Sequence, residues 1–227
     1  MQQKLVNDII QWDVKSWGRA IDFWEKNVEW TNVDQCLELG AREGGLSLWL
    51  ALKGKKVVCS DIDNTNATAG KLHEQYNLNS AIQYANIDAR EIPYENYFDI
   101  IIFKSILGGI GRNADIKTEE KVLNEMYKAL KPGGRLLFAE NLQASRFHRF
   151  MRQKANKWGN YWHYLSITEV KNLLKVFPKS SIHTSGVIGT FGRNEKQRGF
   201  LAQIDNAILN RVCPGRWKYI VYGIAEK

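Results

Sequence analysis

The sequence has little of what marks exported, metal-binding or membrane-spanning proteins. Its 227 residues include three cysteines and four prolines. Cys36, Cys59 and Cys213 form no C-x-x-C pair, and no histidine lies near them at metal-binding spacing. We therefore expect reduced thiols, no disulfide framework and no metal site. The longest apolar runs, such as residues 100–103, fall far short of the roughly 20 residues that a membrane-spanning helix needs.

Signals for export and for disorder are also missing. The first residues, MQQKLVNDIIQW, lack a basic segment followed by an apolar stretch and a cleavage site, so we expect the chain to remain in the cytoplasm. With 44% hydrophobic and 25% charged residues, the composition is that of a globular protein. Since one α/β domain commonly has about this length, we predict a single domain over residues 1–227.

Acidic residues are scarce in the last third of the chain. Residues 1–141 contain 17 basic and 20 acidic residues, a net charge of −3. Residues 142–227 contain 15 and 4, a net charge of +11. This asymmetry indicates an anionic partner on the C-terminal side of the molecule.

The hydrophobic pattern alternates between strand and helix periods. It predicts seven strands, at residues 35–39, 56–60, 82–87, 98–103, 135–139, 181–188 and 219–225, and helices at residues 46–53, 66–76, 118–130 and 166–176. Between the last two strands we expect only a long, basic, polar connection, and before the first strand one or two amphipathic helices. The alternation predicts an α/β fold of the doubly wound, Rossmann-like type, with a mostly parallel sheet, an antiparallel last strand and helices on both faces.

Residues that directly follow the predicted strands are candidates for ligand binding, because parallel sheets bind ligands at the carboxyl ends of their strands. Gly40 and Gly44 follow the first strand, where glycine allows a tight turn and a close approach to a ligand. Asp61 ends the second strand, where a carboxylate can accept hydrogen bonds from both hydroxyls of a ribose. Asp88 and Lys104 follow the third and fourth strands. Together these residues favour an adenosine-containing ligand.

Five short segments between residues 35 and 141 carry a combined pattern. They are LELGAREG at residues 37–44, SDID at 60–63, NIDA at 86–89, FDII at 98–101 and LKPGGRL at 130–136. In order and spacing these segments resemble the cofactor-binding half of class I S-adenosylmethionine-dependent methyltransferases. The phosphate-binding spacing G-x-G-x-x-G is absent, which argues against a nicotinamide-dependent enzyme.

The resemblance implies S-adenosylmethionine as the cofactor. The binding residues that it implies are Glu38, Gly40, Ala41 and Gly44 in the loop around the methionine part, Asp61 for the ribose, Ile62 for the face of adenine, Asp88 and Ala89 for its amino edge, and Lys104 after the fourth strand. Arg42 departs from the family pattern, since it occupies the place of the second glycine of the loop. Three orientations of the Arg42 side chain stay open: it crowds the cofactor, it turns outward, or it meets the carboxylate of the cofactor.

Methyl transfer depends mainly on alignment and desolvation of the reacting groups, and it needs a base only when the acceptor is a hydroxyl or a protonated amine. His163 is our candidate catalytic base, because it lies in an aromatic segment, residues 158–164, that in the family often contacts the acceptor. His148 and Glu140 are further candidates. The N/D-P-P-Y motif of nucleic-acid amino-methyltransferases is missing after the fourth strand, which disfavours methylation of DNA bases.

A basic amphipathic helix is predicted at residues 144–158, ASRFHRFMRQKANKW, which contain five Lys or Arg and no acid. Arg146, Arg149 and Arg152 share one flank, and Phe147 and Phe150 share the apolar face. Such a helix fits an anionic membrane surface, a phosphate-bearing acceptor or a nucleic-acid groove, and it also fits an ordinary solvated face.

These observations predict a cytoplasmic methyltransferase that acts, preferably at oxygen, on a small-molecule or glycan-type anionic acceptor. We expect residues 1–33 to form a helical lid, residues 34–141 the cofactor-binding half and residues 142–227 the acceptor side. Two alternatives stay open. One is an RNA methyltransferase, and the other is a non-catalytic cofactor-binding scaffold that uses residues 144–158.

Overall fold

The computed structural model describes residues 3–155 and 162–227, which are built around one sheet of seven strands. The strands are β1 (Gln35–Leu39), β2 (Lys56–Asp61), β3 (Ile82–Asn86), β4 (Phe98–Lys104), β5 (Leu130–Asn141), β6 (Lys179–Ser185) and β7 (Ile220–Glu226). The helices are α1 (Gln3–Ile10), α2 (Val14–Asn27), α3 (Gly45–Leu52), α4 (Thr65–Glu74), α5 (Leu107–Ile110), α6 (Ile116–Ala129), α7 (Arg146–Ala155), α8 (Ile167–Leu173), α9 (Glu195–Ile204) and α10 (Asn210–Val212). The predicted helix end at Trp158 and the aromatic residues up to Tyr161 lie outside the described residues. Within the described part of the chain, no helix has the length and apolar character needed to cross a lipid bilayer.

The strand order confirms the predicted Rossmann-like fold. The order is β3-β2-β1-β4-β5-β7-β6, in which the first five strands are parallel and β7 runs antiparallel to both of its neighbours. From β1 the chain proceeds outward to β2 and β3 and then returns to β4 on the other side of β1. The switch point in strand order therefore lies between β1 and β4, and ligands of such sheets bind there.

The central strand β4 joins two hydrophobic cores. Ile100 and Ile102 pack with Trp24 of α2 on one face of the sheet. Ile101 and Phe103 pack on the other face with the apolar stripe of α6. These four side chains are at most 1% exposed, because helices cover both faces of the sheet, as the unbroken apolar run predicts.

The segment between β6 and β7 corrects one prediction. It is not a plain polar connection, since it contains α9 and a π-helical stretch, Asp205–Leu209, that leads into α10. Asn194 caps α9 by accepting a hydrogen bond from the backbone N–H of Gln197 at 3.0 Å. Because only Ala202 of this helix is buried, the segment has no strong apolar periodicity to reveal it.

Candidate active site

A cavity of about 590 Å³, called here the first cavity, lies at the carboxyl ends of β1, β4 and β5. Its wall is formed by residues 9, 11 and 12 of the N-terminal segment, the loop after β1, the start of α3, the ends of β4 and β5, and residues 162 and 164. Of the residues predicted from the sequence, Glu38, Gly40, Ala41 and Lys104 lie on this wall, together with Arg42. The cavity therefore occupies the place that the strand order predicts for a ligand.

The loop between β1 and α3 turns tightly through three left-handed residues. Gly40, Arg42 and Gly44 have φ values of 64°, 50° and 74°. A Cβ at Gly40 would collide with the side chain of Ile106, and one at Gly44 with the imidazole of His73, so both positions require glycine. Arg42 adopts the same left-handed backbone at a cost of about 1–2 kcal/mol. Its exposed side chain lies on the wall of the first cavity and does not fill the turn itself.

Two groups of opposite charge lie on the wall of the first cavity. The buried carboxylate of Glu38 accepts hydrogen bonds from the backbone N–H and the hydroxyl of Ser47 at 2.6 and 2.5 Å. Burial raises the pKa of Glu38 to about 7, against the effect of these bonds and of the Lys104 ammonium. Burial also lowers the pKa of Lys104 to about 8, although the Glu38 carboxylate favours its charged form. The Lys104 ammonium donates a hydrogen bond to the carbonyl of Ile10. The wall thus complements a ligand that carries both an ammonium and a carboxylate.

The N-terminal segment borders one side of the first cavity, and its role as a lid stays a prediction. Gln11 and Trp12, between α1 and α2, lie on its wall. The carboxylate of Glu195 accepts hydrogen bonds from the backbone N–H groups of Asp13 and Val14 at 2.8 and 3.2 Å. The start of α2 is therefore fixed by a side chain from the C-terminal half of the chain.

Asp61 and Ile62 lie at the carboxyl end of β2, outside the wall of the first cavity. The carboxylate of Asp61 accepts hydrogen bonds from the backbone N–H groups of Arg42 at 2.8 Å and Ile62 at 2.7 Å. Each oxygen keeps acceptor capacity for a further donor such as a ribose hydroxyl. The side chain of Ile62 is 62% exposed, which leaves an apolar face free to pack against a planar ring.

Asp88 and Ala89 follow β3 and also lie outside the first cavity. The carboxylate of Asp88 accepts hydrogen bonds from the Arg90 guanidinium, with Nε at 2.9 Å and Nη2 at 2.5 Å. These bonds hold the pKa of Asp88 below its usual range. An exposed ion pair of this kind contributes only about 0–1 kcal/mol, so a ligand can displace Arg90 at little cost. The role of Asp88 and Ala89 at adenine stays a prediction.

The glycine loop has a buried support that the sequence analysis did not identify. The Nε2–H of His73, on α4, donates a hydrogen bond to the carbonyl of Gly44 at 2.9 Å. The hydroxyl of Tyr84 donates to Nδ1 of the same ring at 2.8 Å. Burial lowers the pKa of His73, which favours this neutral ring. Gly44 therefore helps to fix the shape of the loop and does not lie on the cavity wall. The contact between His73 and Gly44 joins residues far apart in the sequence, so only the tertiary structure reveals it.

The structure does not place His163 at the first cavity, which departs from the expectation for a catalytic base. Its side chain is 8% exposed, and its Nδ1 lies 2.8 Å from the carboxylate of Glu119 on α6. Its Nε2 lies 3.6 Å from a carboxylate oxygen of Glu169 on α8. The imidazole thus bridges two helices, while its neighbours Trp162 and Tyr164 lie on the cavity wall. This geometry favours a positioning role for His163.

The two other candidate bases are also engaged within the fold. The carboxylate of Glu140 accepts hydrogen bonds from the backbone N–H groups of Leu107 and Asn141, both at 2.7 Å. His148 is buried, with its Nε2 2.7 Å from the carbonyl of Val187. Neither side chain lies on the wall of the first cavity.

The sequence analysis did not identify Asn141, which lies on the wall of the first cavity, whereas Trp162 and Tyr164 belong to the aromatic segment that it singled out. The side-chain amide of Asn141, at the end of β5, donates a hydrogen bond to the hydroxyl of Ser105 at 2.5 Å. Trp162 and Tyr164 add aromatic surface to the same wall. Ser105 and Asn141 each lie at the carboxyl end of a parallel strand, and this position in the sequence pattern could have identified them as candidate site residues.

Comparisons with known proteins agree with this geometry. Residues 37–138 match the family model described as a methyltransferase domain. The chain is 34% identical over 110 residues to the ubiquinone/menaquinone biosynthesis C-methyltransferase UbiE of Vibrio vulnificus, an alignment that covers 46% of this chain and 40% of the relative. The corresponding enzyme of Methylococcus capsulatus is 43% identical over 79 residues, or 34% of this chain and 28% of the relative. The chain thus matches less than half the length of these relatives.

Solved structures share the fold over nearly the whole chain. The phosphoethanolamine N-methyltransferase 2 of Haemonchus contortus, solved with S-adenosyl-L-methionine, superposes with a TM-score of 0.63 at 17% identity, over 93% of this chain and 52% of that one. A SAM-dependent methyltransferase structure from Methanosarcina mazei superposes with a TM-score of 0.62 at 18% identity, over 90% of this chain and 96% of that one. At these identities the likeness concerns the fold alone.

Proposed function

We propose that the chain, in which residues 37–138 match a methyltransferase domain, transfers a methyl group from S-adenosylmethionine to a small acceptor molecule. One observation carries the proposal. The glycine loop after β1 opens onto the first cavity at the switch point of the sheet, with Glu38 and Lys104 on the cavity wall.

The residues of the site fit the cofactor part by part. Its methionine part carries an ammonium and a carboxylate, which match the Glu38 carboxylate and the cations of Lys104 and Arg42. Asp61 offers a half-buried carboxylate to the ribose hydroxyls, and Ile62 offers an apolar face to adenine. Of the three orientations considered for Arg42, this assignment selects the one that meets the carboxylate.

When bound, S-adenosylmethionine supplies a methyl group on a positively charged sulfonium. The tasks of the chain are to align the acceptor with that group and to exclude water. The N-terminal lid covers one side of the cavity. Trp12, Trp162 and Tyr164 give the acceptor side flat aromatic walls, which suit a ring-shaped acceptor.

The acceptor proposed here contains a ring with a readily ionised nucleophile, such as a phenol or an enol. The described wall of the first cavity has no histidine, and residues 156–161 contain none. A neutral sugar hydroxyl would therefore lack an imidazole base, which makes the glycan-type acceptor the weaker choice. The anion of a phenol or enol reacts at oxygen, as the sequence analysis prefers, or at carbon, the atom named for the relatives from Vibrio and Methylococcus.

Calorimetry with S-adenosylmethionine and S-adenosylhomocysteine tests the cofactor site. We expect micromolar binding of both ligands, weakened roughly tenfold or more in Lys104→Met because a buried charged hydrogen-bond donor is lost. Lys121→Met removes an exposed ammonium of α6 and serves as the matched control, with affinity unchanged. A folded wild-type protein that binds neither ligand would overturn the proposal.

Methyl incorporation from labelled cofactor then separates the alternatives. Label in an ionisable small molecule supports the proposed acceptor class, and the position of the methyl group identifies oxygen or carbon. Label in RNA would support the RNA methyltransferase. Tight cofactor binding without incorporation into any cellular fraction would support the scaffold.

A further inference from the structure

A second cavity, of about 440 Å³, adjoins the first. Asn141 and Tyr164 lie on the wall of the first cavity, and the residues that follow them, Leu142 and Leu165, lie on the wall of the second. Leu142 and Leu165 form an isolated parallel bridge, and the backbone N–H of Gln143 donates to the carbonyl of Leu165 at 2.9 Å. The two cavities therefore share a wall of hydrogen-bonded backbone.

Three arginines converge on the second cavity. Arg146 and Arg149 come from α7, and Arg216 comes from the turn before β7. All three are exposed, and no carboxylate lies on the described wall of this cavity. Within residues 3–155 and 162–227, none of the three guanidinium groups has an ion pair or hydrogen bond. Three like charges around one cavity repel each other, so an anion placed among them is stabilised.

Each acid of the C-terminal half is bound to a group other than these three arginines. Glu169 accepts a hydrogen bond from the backbone of Ser166, Glu195 accepts from Asp13 and Val14, Asp205 accepts from the backbone of residues 187–189, and Glu226 pairs with Lys179. The sequence has no acid between residues 141 and 168. Within the described chain, no acid of the C-terminal half therefore forms an ion pair with these three arginines.

Arg152, on the same helix, differs from these three arginines because its side chain has a structural role. Its Nη1 donates hydrogen bonds to the carbonyls of Leu142 and Gln143 at 2.8 and 3.2 Å, and its guanidinium stacks on the ring of Tyr164 at 3.9 Å. The three arginines of the predicted flank therefore differ in role. Arg152 supports the shared wall, whereas the guanidinium groups of Arg146 and Arg149 form no hydrogen bond with the described residues.

The predicted apolar face of the basic helix is largely exposed. Phe147 and Phe150 are 58% and 51% exposed, whereas His148 is the buried side chain of this turn. Trp217, beside Arg216 on the wall of the second cavity, is 46% exposed. Trp217 therefore adds aromatic surface to the wall of the second cavity beside its cations.

We propose that the second cavity binds a phosphoryl group, as a phosphate ester or a diphosphate, and anchors the acceptor of the methyl transfer. The identification of this ligand as the acceptor rests on the proposed function, whereas the phosphoryl site itself does not. Guanidinium groups stay charged at all physiological pH values and present paired N–H donors that match phosphate oxygens. Gln143 and Thr168 add neutral hydrogen-bonding groups to the same wall.

Calorimetric titration with inorganic pyrophosphate tests the site. We expect binding to wild-type protein that weakens roughly tenfold or more in the double variant Arg149→Ala, Arg216→Ala, because two charge-assisted contacts are lost. The control is Arg193→Ala, Arg211→Ala, which removes the same charge from exposed positions of the same half outside both cavities. Its pyrophosphate affinity should stay within about twofold of wild type, since distant surface charges are screened. Both variants should keep wild-type affinity for S-adenosylhomocysteine, which shows that the fold is intact.

Vesicles of phosphatidylcholine with about one-fifth phosphatidylglycerol distinguish the source of the phosphoryl group. Vesicle binding that pyrophosphate releases, and that the double variant loses, assigns the site to a lipid headgroup. Pyrophosphate binding without vesicle binding assigns it to a soluble phosphate. Absence of pyrophosphate binding to wild type, or an equal loss in the control variant, overturns the site. If wild-type protein binds pyrophosphate but not S-adenosylhomocysteine, the phosphoryl site is supported and the proposed function is contradicted.

Discussion

At the scale of single residues, the sheet topology determines where Glu38 and Lys104 lie, and a long-range hydrogen bond determines where His163 points. Glu38 and Lys104 lie on the first cavity because the carboxyl ends of β1 and β4 meet at the switch point, which the strand pattern alone locates. His163 turns away from it because of a hydrogen bond to Glu119, 44 residues earlier in the chain. No local pattern contains that contact.

Asp61→Ala should weaken the affinity for S-adenosylmethionine by roughly 1–3 kcal/mol, because it removes hydrogen bonds to a charged acceptor. The loss has two sources, the contact with the ribose and the hydrogen bond that holds the backbone of Arg42. Calorimetry measures the effect. Asp63→Ala is the control, since Asp63 is an exposed acid two residues away. Equal affinities of wild type and Asp61→Ala would remove Asp61 from the site.

Glu119→Gln should change how stability depends on pH. Burial raises the pKa of Glu119 to about 7, although the bond to His163 opposes this. An unfolded glutamate titrates at about 4.3, so the folded state keeps its proton to higher pH. The contribution to stability is therefore full below the unfolded pKa and is lost as the pH rises through about 7. Glutamine stays neutral and still accepts the bond from His163.

Urea unfolding of wild type and Glu119→Gln at several pH values measures this difference. Relative to wild type, the variant should gain roughly 2–3 kcal/mol between about pH 5 and pH 8, since one pKa unit corresponds to 1.36 kcal/mol. Glu120→Gln, at an exposed position of α6, should show no such trend. A difference between variant and wild type that is constant with pH would contradict the raised pKa.

At the scale of elements, residues 34–141 could be predicted in most of their strands and helices, although not α5 or the early start of β5 at Leu130, and residues 142–227 only in part. The strands β1 to β5 and helix α6 have strong apolar periods and clear turn residues, so the local signals agree with the fold. Helix α9 buries a single side chain and is held through Asp205, which accepts backbone hydrogen bonds from residues 187–189. The apolar periodicity of the sequence therefore does not predict this helix.

The contact between α9 and α2 should control the order of the lid. Glu195→Ala removes the carboxylate that accepts hydrogen bonds from the backbone of Asp13 and Val14. Loss of a capping acceptor costs about 0.5–2 kcal/mol, so the protection of these two amides against hydrogen exchange should fall by the corresponding factor. Glu120→Ala serves as the control. Unchanged protection in Glu195→Ala would mean that the start of α2 is held by packing alone.

At the scale of the whole molecule, the two ends of the chain are joined by buried contacts. The indole N–H of Trp24 donates a hydrogen bond to the carbonyl of Gly223 at 2.9 Å. The hydroxyl of Tyr219 donates to the carboxylate of Asp13 at 2.6 Å. Burial raises the pKa of Asp13 to about 6, against the effect of this bond. The lid is therefore packed into the same core as the sheet and the last strand.

These contacts lead us to propose one cooperative domain over residues 1–227, and equilibrium unfolding tests it. Four of the eight tryptophans lie in residues 1–33, and Trp17 and Trp24 among them are both 1% exposed, so tryptophan fluorescence gives the N-terminal helices a large weight, while far-ultraviolet circular dichroism reports the whole sheet and its helices. We expect the two signals to change in one coincident transition.

Trp24→Phe should lower the free energy of unfolding by roughly 1–3 kcal/mol, because it leaves the buried carbonyl of Gly223 without its donor. The variant should still unfold in a single transition. A fluorescence change that precedes the circular dichroism change would show that the lid unfolds separately and would divide the chain near residue 33.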